Sequence, residues 1–175
     1  MTSILKVDNL QNTSGTSAMS INSNGIVIPK GVIMQVNSSD TDQTVGASNT
    51  KIQWENVEID TISGWDSTNH RYTPNVAGYY LVGGGLRLGV GTVNSYINVQ
   101  IKRNGSDLVD DVIEAQYQVT SDLFTNGVYT CGTGLILLNG SSDYIEMWVE
   151  GDEAMTAHDI SSQKSHFFAQ LVHAT

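Results

Sequence analysis

Few side chains in this sequence could do chemistry at neutral pH, and their spacing decides how far that chemistry goes. The histidines are His70, His158, His166 and His173. No two of them stand at the i, i+4 spacing of a helical zinc site. His166 and His173 are seven residues apart in an extended run, which places them on opposite faces of a strand. Solvated or hydrogen-bonded roles are therefore expected, and no metal. Ser161 and Ser162 follow His158 and Asp159, the residue types of a hydrolytic triad. Neither serine sits in the Gly-x-Ser-x-Gly turn that exposes such a nucleophile. Asp107, Asp110, Asp111, Glu114 and Asp122 offer oxygen ligands that could hold calcium. They lack the glycine-containing loop of a helix–loop–helix calcium site, so they read as a solvated acidic edge that discourages strand-to-strand aggregation. Cys131 is the single cysteine. With no cationic neighbour to lower its pKa, it reads as a small buried apolar side chain. Gly83-Gly84-Gly85 is followed by no helical pattern, which excludes a phosphate loop. Its expected role is the close approach of a neighbouring backbone, from an adjacent strand or across an assembly axis. Trp65 lies in the polar loop Ser63 to His70, where an exposed ring could stack on a sugar; Trp65 and His70 form the possible ligand loop. No catalytic residue, cofactor or metal site is assigned.

The elements that position these groups are short and extended. The chain has 175 residues, 17 glycines and only 15% charged residues. That is enough for one domain with a core of its own, and few stretches hold a helical period. The formal net charge of −10 opposes capture of nucleic acid. One cysteine excludes a disulfide framework. No run approaches the ~20 apolar residues of a membrane helix, and the opening lacks the basic and apolar segments of a signal peptide. The expectation is a protein made in a cytoplasm, with no nucleic-acid or membrane partner. Four Asn-x-Ser/Thr sequons, at Asn12, Asn37, Asn104 and Asn139, are ascribed to an Asn- and Ser-rich composition.

The organising stretch runs from Trp54 to Leu88. Trp54, Val57, Ile59 and Ile62 suggest one strand. Tyr72-Thr73-Pro74 and a bend at Asn75 to Gly78 lead into a second, from Tyr79 to Leu88, giving two consecutive strands joined by a tight corner. Tyr96 to Lys102 alternates, with Ile97, Val99 and Ile101 on one face and Tyr96, Asn98, Gln100 and Lys102 on the other. It ends at an Asn104-Gly105 turn. Leu108 to Glu114 and Ala115 to Val119 are weaker strands. Val128 to Leu138 is one strong strand ending at Asn139-Gly140. Tyr144 to Glu150 and His166 to His173 follow. About eight to ten short strands with regular turn signals predict an all-β, antiparallel jelly-roll sandwich. Residues 1–31 differ. They contain no aromatic residue, and Asn24-Gly25 between Met19, Ile21 and Ile26, Ile28 predicts a type I′ hairpin. Such a hairpin is marginal alone, so residues 1–31 read as an extended β arm and residues 32–175 as the head.

In that order, Trp54 to Asp60, Tyr72-Thr73-Pro74, Gly78-Tyr79-Tyr80-Leu81-Val82, Ile97 to Gly105, Leu135 to Glu153 and Phe167 to Val172 resemble the complement-1q and tumour-necrosis-factor-like jelly rolls. The resemblance spans about residues 32 to 173. It lacks a collagen-like Gly-x-y stalk, and the loop from Asp107 to Asn126 matches no calcium pattern. It implies a threefold homotrimer in which each protomer buries one sheet against its neighbours, with Tyr79, Tyr80, Trp148, Phe167 and Phe168 in the core or at the interface. The opening Ile4 to Gly25 is similar to the openings of structural proteins of marine and cyanobacterial bacteriophages, where it often precedes a complement-1q-like head. This implies a non-enzymatic virion protein, assembled in the host cytoplasm. Ile4, Leu5, Val7, Leu10, Met19, Ile21, Ile26 and Ile28 would attach it to capsid or tail proteins, as a capsid decoration (cement) or short fibre head. The alternative is an adhesin at a tail-fibre tip that binds a host receptor or surface glycan.

Overall fold

The computed structural model describes residues 7–11, 13–15, 17–38, 42–89, 96–106, 112–118, 126–157 and 165–175. Among these residues there is no helix. The chain separates into two compact units, Met1–Gly31 and Val32–Thr175.

The head is built around one strand, β10 (Gly78–Gly89). Along one edge it pairs antiparallel with β14 (Gly134–Leu138) and β13 (Asn126–Thr130). Along the other it pairs with β17 (His166–Ala174) and, at Leu88 and Gly89, with β16 (Ala154–Ala157). β17 continues to β4 (Ile33–Asn37) and then to β7 (Asn56–Asp60), while β16 pairs with β5 (Gln43–Gly46), completing an eight-stranded sheet. A six-stranded sheet faces it. There β11 (Tyr96–Arg103) lies between β12 (Val112–Gln118) and β15 (Ile145–Gly151), and β15 also pairs with β6 (Thr50–Lys51) and β9 (Arg71–Tyr72), which pairs with β8 (Trp65–Asp66). This is an antiparallel jelly-roll sandwich.

The core follows from alternation. Tyr80, Val82, Leu86 and Leu88 point from β10 toward Ile97, Val99 and Ile101 of β11 and Ile145, Met147 and Val149 of β15, and each is at most 1% exposed. Trp54 and Phe167 stack within this layer with ring centroids 6.3 Å apart. Tyr80 also closes the corner before its own strand, because its hydroxyl donates to the Val76 carbonyl at 2.8 Å.

Several details differ from the sequence reading. β7 and β10 are not joined by a tight corner: the β8–β9 hairpin lies between them in sequence, and β17 and β4 separate them in the sheet. β7 is an edge strand with Val57 and Ile59 exposed, and Trp54 reaches the core from outside any strand. The run from Val128 to Leu138 is two strands, because Cys131 to Thr133 leave the ladder, and both halves pair with β10. His166 and His173 lie on the same face rather than opposite ones. His166 pairs with Gly85 and His173 with Tyr79, an even spacing on β10, because a bulge at Val172 shifts the alternation.

The arm is a three-stranded antiparallel sheet, β1 (Asn9–Gln11), β2 (Ser17–Ile21) and β3 (Val27–Pro29). β2 and β3 form the expected hairpin with a different turn. Of Asn24 and Gly25 only Gly25 takes a positive φ, +74°. The loop closes at Asn22, whose amide donates to the Ile26 carbonyl, and whose side-chain oxygen accepts from the amides of Asn24 and Ile26. A side chain that caps its own turn removes the need for a second positive φ.

Candidate assembly face

The outer side of the eight-stranded sheet is the surface that the core leaves over. On β10 the residues between the inward ones, Tyr79, Leu81, Gly83, Gly85 and Arg87, face away from the six-stranded sheet. Residues paired across neighbouring strands share a face. Leu137 and His173 flank Tyr79; Leu135 and Gln170 flank Leu81; Phe168 lies beside Gly83. The result is an apolar stripe over β14, β10 and β17 in which Tyr79 is 42%, Leu135 57%, Leu137 42% and Val172 59% exposed. Exposed apolar side chains gathered on one face make it a candidate interaction surface.

The glycine triplet shapes this face. A Cβ on Gly83 would lie 2.8 Å from the Phe168 ring, so the ring lies against bare backbone, and the His166 ring stacks on Phe168 at 6.4 Å. A Cβ on Gly84 would lie 2.6 Å from the His166 carbonyl oxygen and 3.1 Å from Met147 Cε. The triplet therefore admits β17 on one side and the opposite sheet on the other.

The expected interface residues fall into three places. Tyr80 and Phe167 belong to the core of the head and are fully buried. Tyr79 and Phe168 are on the exposed face just described. Trp148 lies on the outer side of the six-stranded sheet, half-buried beneath Lys102 at 5.1 Å and Lys51 at 5.8 Å. There Lys51 forms an ion pair with Glu146 at 2.7 Å. Lys102 is on the face its alternation indicated, yet only 2% exposed. Its aliphatic stem is covered while the ammonium meets the indole.

Trp65 is not the free aromatic of a polar loop. It is on β8, partly buried, with its ring edge-on to Phe167 at 6.4 Å. His70 holds a positive φ of 48° and its Nδ1 lies 3.1 Å from the Trp54 carbonyl. Both residues tie the 60–70 segment to the core. Glu114 accepts from the side-chain amides of Asn98 and Gln100, each at 3.1 Å, and the Asn98 bond is the main reason its carboxyl sits below the usual range. Its acidic companions Asp107, Asp110, Asp111 and Asp122 lie outside the described residues, as do His158, Asp159, Ser161 and Ser162. Among the described residues no three metal-ligating side chains converge. The Cys131 thiol is buried and donates to the Gly84 carbonyl at 3.5 Å; burial pushes its pKa up to about 12. A cavity of about 20 Å³ between Ser38, Trp54, Leu86 and Ser165 has room for one water molecule.

Of the arm residues, Ile4 and Leu5 lie outside the description, and so does the Ile28 side chain. Leu10, Ile21 and Ile26 are exposed, and Val7 and Met19 are half-buried. Leu135, Leu137 and Val172 were not singled out from sequence. The signal was present in Leu135 to Leu138, an unbroken apolar run, which in a strand means that both faces are to be covered.

No protein-family model and no curated protein matches the sequence. Solved structures do match in fold. Murine APRIL, crystallised at pH 5.0, is 14% identical over 82% of this chain and 100% of its own, with a TM-score of 0.58. The globular domain of zebrafish complement 1qA is 12% identical, covering 83% and 99%, with a TM-score of 0.56. Eiger, a tumour necrosis factor from S. frugiperda, is 11% identical, covering 83% and 95%, with a TM-score of 0.58. The chain has the tumour-necrosis-factor and complement-1q-like jelly-roll fold. The resemblance read from the strand motifs is thus present at the level of fold.

Proposed function

We propose that this chain is a non-enzymatic structural protein of a bacteriophage particle. It assembles as a homotrimer through the outer face of the eight-stranded sheet and is held to the particle by its arm, as a capsid decoration or short fibre head. The observation that carries the trimer is the stripe of Tyr79, Leu135, Leu137 and Val172. It gathers four exposed apolar side chains on one sheet face, with Gln170 and His173 beside them, and it lies on a fold whose relatives, by the resemblance above, assemble threefold. Closed cyclic symmetry covers such a face without leaving a copy of it free to propagate. The phage assignment is supported by the likeness of Ile4 to Gly25 to phage structural proteins. A glycan-binding tip is less favoured, because Trp65 and His70 are engaged by Phe167 and the Trp54 carbonyl.

Light scattering of the purified chain at micromolar concentration is expected to return three times 18.9 kDa. Leu137→Asp, which places a charge in the stripe without touching the core, is expected to shift the mass toward the monomer. A monomeric wild-type protein would remove this reading. For the particle role, virions lacking the chain are expected to lose heat stability or fibre tips in micrographs. Tight cell binding by the isolated trimer with unchanged particles would instead promote the adhesin.

A further inference from the structure

The arm has an unpartnered face of its own. Met19 and Ile21 are two apart on β2 and point the same way. Leu10 pairs with Met19, and Val27 pairs with Ile21, so these four side chains share one side of the three-stranded sheet. Asn9 and Ser20, paired with each other, point to the other side, where Ser20 also pairs with Ile28. Leu10 is 46%, Ile21 37% and Val27 52% exposed, and no described residue of the arm is buried. A sheet this small with one bare apolar face does not stand alone in water.

Two observations indicate what covers it. The first is where the arm must begin. In the head the Leu171 amide donates to the Val32 carbonyl, and Ile33 pairs with Gln170. Val32 is therefore at the end of the sheet that carries Val172 and Tyr79, and the peptide bond to Gly31 leaves from there. Heads that meet through that stripe launch their arms side by side. The second is charge. The chain as a whole carries −10, but residues 1–31 hold only Lys6, Asp8 and Lys30. Two lysines against one aspartate leave each arm nearly neutral, so bringing copies together meets far less repulsion than the acidic heads would feel at the same separation.

We propose that the three arms of one trimer pack their Leu10–Met19–Ile21–Val27 faces against one another around the threefold axis, forming a small closed β bundle. This rests on the trimeric reading above. Particle attachment then falls to the outer side and the strand edges of the bundle.

The test is disulfide trapping in the full-length chain with Cys131→Ala, so that each variant carries one cysteine. Ile21→Cys and Val27→Cys place the thiol on the apolar face and Ser20→Cys on the opposite one. In the isolated protein, mild oxidation is expected to convert the first two to cross-linked dimers at least about tenfold faster than Ser20→Cys, as the high effective concentration within a trimer requires. Val27→Cys serves as a second reading should Ile21→Cys disturb the hairpin. Equal, slow cross-linking at all three sites in a protein whose mass is trimeric overturns the bundle and leaves the trimer standing. A monomeric mass under the same conditions overturns the trimer and the bundle with it. Free reactivity of Ile21→Cys in the isolated trimer, lost only when particles are present, shows that another virion protein covers this face and also overturns the bundle.

Discussion

At the scale of single residues, some described groups that carry chemistry in other proteins, Cys131 and Trp65 among them, here serve packing. Cys131 is the clearest case. Its thiol sits under β10 and gives its proton to the Gly84 carbonyl, and loss of solvent raises its pKa from 9.0 to about 12. A raised folded-state pKa means that the folded chain holds the proton more tightly than the unfolded chain. The stabilisation is complete below pH 9 and is lost as the pH climbs from there through the folded-state value. Two outcomes are expected. The native protein should resist maleimide at pH 8 and react once unfolded. Denaturant melts of the wild type should lose stability between pH 9 and 12 more steeply than those of Cys131→Ala. Parallel slopes would place the thiol in water. Burial of the thiol followed from its lack of a cationic neighbour. Its partner did not, because the break in the ladder at Cys131 to Thr133 is invisible in an apolar run that continues to Leu138.

At the scale of elements, the turns were read better than the pairings. Asn104 and Gly105 take φ angles of 55° and 67°, and the Ser106 amide donates to the Arg103 carbonyl at 3.0 Å, the type I′ geometry that an Asn-Gly pair favours. The sequence could not reveal that Asn104 also reaches a second turn. Its side chain accepts from the Tyr144 amide and donates to Asp143, 3.0 and 2.9 Å away, so one residue fixes the ends of β11 and β15 together. Asn104→Ala is therefore expected to cost about 1–3 kcal/mol, from a Cβ residue at positive φ and from the lost bonds to the second turn. Asn104→Gly should recover the backbone part only. Equal stability of all three proteins by denaturant titration would show that the two turns are independent. Alternation assigned Ile97, Val99 and Ile101 to the core and Tyr96, Asn98, Gln100 and Lys102 to the other face correctly, because a two-residue period is local. Bulges are not local. The extra residue at Val172 moved His173 to the face of His166, and no residue type there announces it.

At the scale of the whole molecule, the architecture was legible because the motifs arrive in a fixed order, whereas the exposed apolar face proposed for assembly was only partly so. Tyr79 was flagged by its ring. Leu135, Leu137 and Val172 were not, since an aliphatic residue reads the same whether it faces a core or a partner. The division of labour between head and arm yields the last prediction. The head, Val32 to Thr175, is one compact unit with its own two sheets, and the buried hydrophobic residues among those described all belong to it. No described residue of the arm is buried. Deleting residues 1–31 should therefore leave a cooperative unfolding transition close to that of the full chain, since the core contacts are unchanged. The trimer should persist by light scattering, because the stripe on β14, β10 and β17 remains. Incorporation into particles, followed by sedimenting virions assembled with the truncated chain, should fall to background. An unfolded truncation would place part of the head's stability in the arm. A folded truncation that turns monomeric would mean that the arms, rather than the sheet faces, hold the trimer together. A truncation that still sediments with virions would transfer attachment to the head, and the exposed edge at Val57 and Ile59 would then be the surface to alter next.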